Sequence, residues 1–144
     1  MSYQENCPFC NPQHDRHQHI IFENETCYFL QHDKEQDVLE GSGVIVPKAH
    51  QRDAFHLTPE EWNDTYELLQ RAREYLDLTF SPNGYTLGWN AGEASNQSIL
   101  HCHLHIIPRY NDEPYAGKGL RHWIKQPENK RKCNKISREE THSG

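Results

Sequence analysis

No run of about eighteen apolar residues occurs anywhere in these 144 residues, so no segment reads as a membrane span. The opening residues Met1-Ser2-Tyr3-Gln4-Glu5-Asn6 lack the charged-then-apolar pattern of a secretion signal. Apolar residues are scarce, at 34%, and the mean hydropathy is −1.02. That leaves one domain with a thin core, to which a metal staple or a dimer interface would add stability. Cysteine is also scarce and odd in number, at five. Without a secretion signal, reduced thiols or metal ligands are expected rather than disulfides, and the protein is expected to be cytoplasmic. Positive charge is thin through residue 117, with seven Lys/Arg against eighteen Asp/Glu, a net of −11. Residues 118–144 reverse this with eight against three, a net of +5. The division expected is a domain over 1–126 and a basic tail over 127–144, for which disorder is one reading. A short basic tail is usually solvated charge, so Lys130-Arg131-Lys132 does not by itself call for a nucleic-acid partner.

What the chain does have is His101-Cys102-His103-Leu104-His105-Ile106-Ile107. Three histidines at period two, with cysteine or aliphatic residues between them, fit a strand. On it the imidazoles line one face, about 7 Å apart, and Leu100, Cys102, Leu104 and Ile106 line the other. A helix would scatter the same side chains. Imidazoles so displayed suit metal binding, or nucleophilic and acid–base work near neutral pH.

The rest of the chain alternates in type. Ile20-Ile21-Phe22 and Cys27-Tyr28-Phe29-Leu30 read as a hairpin around Glu23-Asn24-Glu25-Thr26. A loop from Asp33 to Glu40 leads to a strand at Gly43–Val46 that Pro47 ends. Thr58-Pro59-Glu60-Glu61 is a helix start with N-cap, proline at the first position and a capping box. Trp62, Tyr66, Leu69, Ala72 and Leu76 recur at helical spacing, and Ser81-Pro82-Asn83-Gly84 stops the helix. Tyr85 to Asn90 alternates as a strand before a polar loop and the histidine run. This order describes an α+β domain with an antiparallel sheet.

Near the N-terminus, Cys7-Pro8-Phe9-Cys10 has the spacing that lets two thiolates reach one tetrahedral metal, and zinc suits sulfur and nitrogen ligands. A redox pair is the competing use of that spacing. By spacing alone His14, His17 and His19 are near enough to complete a metal site.

Four segments together resemble the histidine-triad family of nucleotide hydrolases and transferases. The His101–Ile107 run matches its His-φ-His-φ-His-φ-φ motif, with φ apolar. Val44-Ile45-Val46-Pro47-Lys48-Ala49-His50 resembles its Ile-Pro-Lys-x-His stretch. Asn90-Ala91-Gly92 with Gln97-Ser98 resembles its approach to the triad, and Leu30-Gln31-His32-Asp33 its aromatic-His-Asp segment, with Gln31 departing at the aromatic. The resemblance runs from about Cys7 to Arg109 and points to a bacterial-type member with an N-terminal Cys-x-x-Cys. It implies a five-stranded antiparallel sheet packed by helices, usually dimeric. The chemistry it implies is cleavage of a phosphoanhydride or phosphoramidate at a nucleotide's α-phosphate, on a dinucleoside polyphosphate or an adenosine phosphoramidate. His103 would be the nucleophile, with His105 and Ser98 assisting and His101 beside them. Asn90 and Gln97 would hold phosphate, Asp33 the ribose, Phe9 (with Ile21) the base, and Arg109 the polyphosphate. Zinc would sit on Cys7, Cys10, His50 and His101. Two other readings stay open at this point: a zinc-stabilised nucleotide-binding module without catalysis, and a metal held by the three triad histidines themselves.

Overall fold

The computed structural model describes residues 3–133. Its elements are β1 (Gln18–Glu23), β2 (Cys27–His32), β3 (Gly43–Pro47), α1 (Pro59–Phe80), β4 (Gly84–Trp89), β5 (Leu104–Arg109) and the short α2 (Leu120–Ile124), joined by loops and 3-10 turns. The strands form one antiparallel sheet in the order β1-β2-β3-β5-β4. Among the described residues no helix is long and apolar enough to cross a membrane.

The hairpin forms where the alternation places it, with β1 and β2 paired from Gln18↔His32 to Glu23↔Tyr28 and a bulge between Ile20 and Phe22. Its turn is tied to α1: Thr26 Oγ1 donates to Asp64 Oδ2 at 2.7 Å and Asn24 Nδ2 to the Asp64 carbonyl at 3.0 Å. At Gly43 the two inner strands run so close that a Cβ would strike the Leu30 carbonyl.

Helix α1 begins as expected, with Thr58 capping Glu61 N–H and the Glu61 carboxylate returning to Thr58 N–H. It ends at Ser81, which takes the left-handed conformation at φ 50° before Pro82 closes off further helix. The buried stripe differs from the expected one. It runs Glu61, Thr65, Leu68, Ala72, Leu76, while Trp62 and Tyr66 remain 52% and 61% exposed. The aromatics marked the wrong stripe because polar residues occupy the start of the true one. Glu61 tolerates burial because its carboxylate accepts from both Thr58 N–H and Gln51 Nε2, and Thr65 Oγ1 donates to the Glu61 carbonyl. Trp62 instead stacks on Trp89 at 5.5 Å beside the sheet edge.

One sheet face packs on α1. Cys27, Phe29, Ile45, Leu104 and Ile106 meet Leu68, Ala72 and Leu76, with Ile21 and Phe22 at the margin. Each large side chain buried here contributes roughly 1.5–3 kcal/mol of hydrophobic stabilisation. The other face carries a smaller cluster, Leu30 and Val46 under Cys7, Phe9 and Cys10 of the N-terminal segment. Ile21 therefore belongs to the core and not to a base slot.

Candidate active site and metal centre

The histidine run straddles a loop and a strand. Pairing between β3 and β5 ends at Ile45↔Leu104, so only His105 lies within the ladder. Alternation nonetheless continues backwards through the run: Cys102 and Leu104 are buried, and His101 and His103 flank Phe9 on the opposite side. Leu100 breaks the expected pattern and is 53% exposed. Where the ladder stops, a ring takes over from the backbone, with His101 Nε2 2.7 Å from the Pro47 carbonyl. The imidazoles also stand closer than an extended strand implies, with the His103 and His105 ring centroids 4.9 Å apart.

Because a carbonyl can only accept, Nε2 of His101 carries the proton and Nδ1 presents a lone pair. That lone pair faces Cys7 Sγ at 3.3 Å, Cys10 Sγ at 3.6 Å and His50 Nδ1 at 3.2 Å, and Cys10 Sγ is 3.3 Å from His50 Nδ1. These four ligand atoms, all within 4.8 Å of one another, form a cluster able to hold a metal ion. The cysteine turn is built to present sulfur. The Cys10 amide donates to Cys7 Sγ at 3.4 Å and the Gln4 amide to Cys10 Sγ at 3.3 Å. Asn11, buried and not anticipated, braces the turn by donating to the carbonyls of Gln4, Glu5 and Cys7. His14, His17 and His19 do not join the cluster. His17 and His19 face Asp33 instead, at 3.6 and 2.8 Å. Nor do the three triad histidines form a metal group of their own among the described residues; of the three, His101 alone belongs to the cluster.

His103 lies beside this cluster, 6% exposed, with Nδ1 2.7 Å from the His101 carbonyl. The proton on Nδ1 is thereby fixed and Nε2 is left with a lone pair, as a nucleophilic histidine requires. Burial holds His103 below the usual imidazole value, against the opposing pull of that carbonyl. Burial, then the charge of His103, lowers His105 as well. Both are neutral at neutral pH.

The two rings line a cleft of about 640 Å³, within the range of small-molecule sites. Phe9, Asn90 and Ser98 share its wall, and Leu30, Val44 and Ile99 give it apolar sides. Leu120, from the segment after β5, closes one side over Gly88. Three expected residues are not on that wall. Gln97 is buried in the loop itself, donating to the Arg52 and Ile99 carbonyls and accepting from Gly92 N–H, so it shapes the Asn90–Ser98 loop. Arg109 spends its guanidinium on Glu113, Thr86 Oγ1 and the carbonyls of Tyr115 and Lys118. It thereby straps the loop that delivers Leu120. Asp33 pairs with His19 on the outer edge, while its neighbour His32 lines the cleft. Trp123 is half exposed and packs on Tyr115 and His122. Cys27 and Cys102 are buried, with desolvation pushing the Cys102 thiol up to about 12, and both act as small core residues. Of the basic tail, residues 134–144 and with them His142 lie outside the described residues.

An antiparallel five-stranded sheet with a helix on one face and a buried, carbonyl-oriented histidine in a cleft on the other defines an α+β class with a histidine-lined cleft. Residues 13–112 match the HIT domain, and the chain belongs to the HIT family. It is 30% identical over 111 residues to Protein hit of Bacillus subtilis, covering 76% of this chain and 75% of that one. It is 32% identical to the Bis(5'-adenosyl)-triphosphatase of Dictyostelium discoideum, over 65% of this chain and 62% of the relative. Among solved structures, a HIT family protein from Bacillus anthracis superposes with a TM-score of 0.67 at 31% identity, covering 78% and 77% of the two chains. A Zn-bound histidine triad family protein from Mycobacterium smegmatis gives 0.63 at 25% identity, covering 76% and 78%.

Proposed function

We propose that this protein is a nucleotide hydrolase that cleaves at the α-phosphate through a covalent nucleotidyl-histidine on His103. The observation that carries this is the His103 Nδ1–His101 carbonyl bond of 2.7 Å, which leaves Nε2 facing a nucleotide-sized cleft. Nε2 attacks phosphorus in line, the N–P bond forms, and the bond to the leaving group breaks. The leaving group takes a proton delivered through Ser98 or His105, and Asn90 donates to a phosphate oxygen. Water then cleaves the N–P bond, its oxygen joining phosphorus and one of its protons replacing the one passed to the leaving group, which releases the nucleoside monophosphate and returns His103 to its neutral form. Relatives named as a bis(5'-adenosyl)-triphosphatase and an adenosine 5'-monophosphoramidase support this chemistry. Between the two substrate types, charge favours the phosphoramidate. No Lys or Arg lines the cleft among the described residues, and Asp15 and Glu35 do. A polyphosphate tail would find no fixed cation there.

Zinc is the metal proposed for Cys7, Cys10, His50 and His101. Ligands at Zn–N and Zn–S bond lengths stand roughly 3.3–3.8 Å apart on a tetrahedron; four of the six spacings, at 3.2–3.6 Å, are close to that geometry, and all six lie within 4.8 Å. All four positions would be filled by protein, so the ion would supply rigidity and no open site for substrate. A cytoplasmic homodimer completes the proposal; Trp62, Tyr66 and the free edge of β4 are the surface it would cover, and sedimentation velocity tests it.

The experiment is AMP release from adenosine phosphoramidate and from diadenosine tetraphosphate by wild type and His103→Ala. Turnover that collapses in the variant is the expected result. Bound nucleotide without turnover by wild type would leave a nucleotide-binding module.

A further inference from the structure

A second cavity, of about 470 Å³, shares Ile99 with the cleft and gives the metal cluster an approach of its own. Cys7, His50 and Arg52 line it, and among the described residues no carboxylate does. Cys7, 8% exposed, is the cysteine it reaches, whereas Cys27 and Cys102 are closed off in the core at 0% and 1%. The Cys7 sulfur accepts the Cys10 amide at 3.4 Å, and the cation of Arg52 beside it favours the thiolate form. A second thiol is at hand, since the ligand atoms of the cluster all lie within 4.8 Å of one another. A thiol open to small reagents, next to a cation and paired with a resolving thiol, is the arrangement that oxidation selects.

Events at these sulfurs reach the nucleophile by two routes. His101 presents Nδ1 to Cys7, while its carbonyl accepts the proton of His103 Nδ1 at 2.7 Å. Phe9, between the two cysteines, packs its ring on His103 at 5.0 Å and on His101 at 5.8 Å between centroids. Two sulfurs on a tetrahedral ion stand roughly 3.8 Å apart. To join, they must draw together to bonding distance, and the turn that carries Phe9 moves with them.

We propose that Cys7 and Cys10 form a modification site for a small hydroperoxide, admitted through this cavity, and that their joining as a disulfide releases the metal and slackens His103. The site rests on the metal and the nucleophile assigned above. The Cys7 thiolate attacks one peroxide oxygen. The O–O bond breaks, and the other oxygen leaves, protonated, as water from hydrogen peroxide or as an alcohol from an organic hydroperoxide. Cys7 is then a sulfenic acid. The Cys10 sulfur attacks it, the S–S bond forms, the S–O bond breaks, and the hydroxyl departs with a proton as water. The thiol pair loses two electrons and the hydroperoxide gains them. The metal use and the redox use of the Cys-x-x-Cys spacing are thus successive states of one site.

The test treats zinc-loaded protein with hydrogen peroxide. It follows released metal with a chromogenic chelator, the Cys7–Cys10 link by peptide mass, and kcat/KM on adenosine phosphoramidate. Stoichiometric metal release, the disulfide, and a fall in kcat/KM of about 10–100-fold are expected, the last being the cost of a displaced reacting group. A dithiol with added zinc should restore all three. Arg52→Gln should slow metal release roughly three- to tenfold with untreated activity unchanged, and Cys133→Ser should alter neither. Metal retained through the treatment, or oxidation confined to Cys133, overturns the site. Disulfide and metal release with kcat/KM unchanged overturn the switch. If wild type turns over no substrate, calorimetric AMP affinity becomes the readout. Weaker binding after oxidation then sustains the switch while the hydrolase assignment falls, and equal binding overturns it. A Cys7–Cys10 disulfide formed in protein shown to hold no metal would keep the modification site and end the zinc assignment.

Discussion

On the α1 side of the sheet, Leu68, Ala72 and Leu76 lock against Phe29, Ile45 and Ile106 with no exposed surface to speak of. On the other side His103, His105 and His32 face an open cleft, covered by the short N-terminal segment around Cys7 and Cys10 and by Leu120. The first face is held by continuous apolar burial. The second is held by a few directed contacts at its edges, in which nearly every polar group has a named partner. Changes on the first face should therefore act on stability and spare chemistry. Changes on the second should act on chemistry, or on both where the metal cluster is touched.

The largest effect expected is from His103→Ala, which should cut kcat/KM on adenosine phosphoramidate by about 10⁴-fold or more with the melting temperature little changed. A loss of less than about tenfold would mean that another group attacks. Next comes Cys10→Ser, or a strong chelator on wild type. Metal binding in small zinc modules is worth about 10–16 kcal/mol, so the melting temperature should fall by ~10 °C or more. Calorimetry that shows no shift would remove the metal from the account. Leu68→Ala, on the opposite face, should cost about 2–5 kcal/mol in chemical denaturation. The remaining folded enzyme should keep its kcat/KM, and a parallel loss of both would deny that the faces are separable.

A smaller effect is the acid dependence. His103 is held below the usual imidazole range, so kcat/KM should stay level as pH falls through 6.5 and drop only below it. Stability changes in the same direction. Burial brings His101 down to about 4, so the unfolded chain binds more protons than the folded one between about 6.5 and 4. The metal-free protein should accordingly be at full stability above about 6.5 and lose it progressively as pH falls through that window. A melting temperature that rises on acidification would reverse the sign.

The same division explains what the sequence revealed. The capping box of α1, the hairpin, and the alternation that buries Cys102, Leu104 and Ile106 were legible because they are local periodicities. The motif residues Asn90, Ser98, His103 and His105 came out together on one cleft wall, since their motif carries its own spacing. What stayed hidden depends on partners distant in the chain. Glu61 reads only as a capping residue and Gln97 as a phosphate-holding one until Gln51 and the Arg52 carbonyl are brought to them by the fold. Arg109 looked free because Glu113 and the Tyr115 and Lys118 carbonyls come to it only when the following loop closes. Asp33 leaves the cleft wall because β2 ends at His32 and a 3-10 turn begins at Asp33, which brings its carboxylate to His19.

The acceptor that orients His103 is a main-chain oxygen, that of His101. In enzymes where a side-chain carboxylate does this work, one codon change removes the orienting group and leaves the nucleophile behind. Here every amino acid at position 101 brings the same carbonyl. A substitution there can disturb the tautomer of His103 only by moving the backbone. Genetic drift thus has fewer single steps by which to disarm the proposed nucleophile, and His103 itself is the most direct of them.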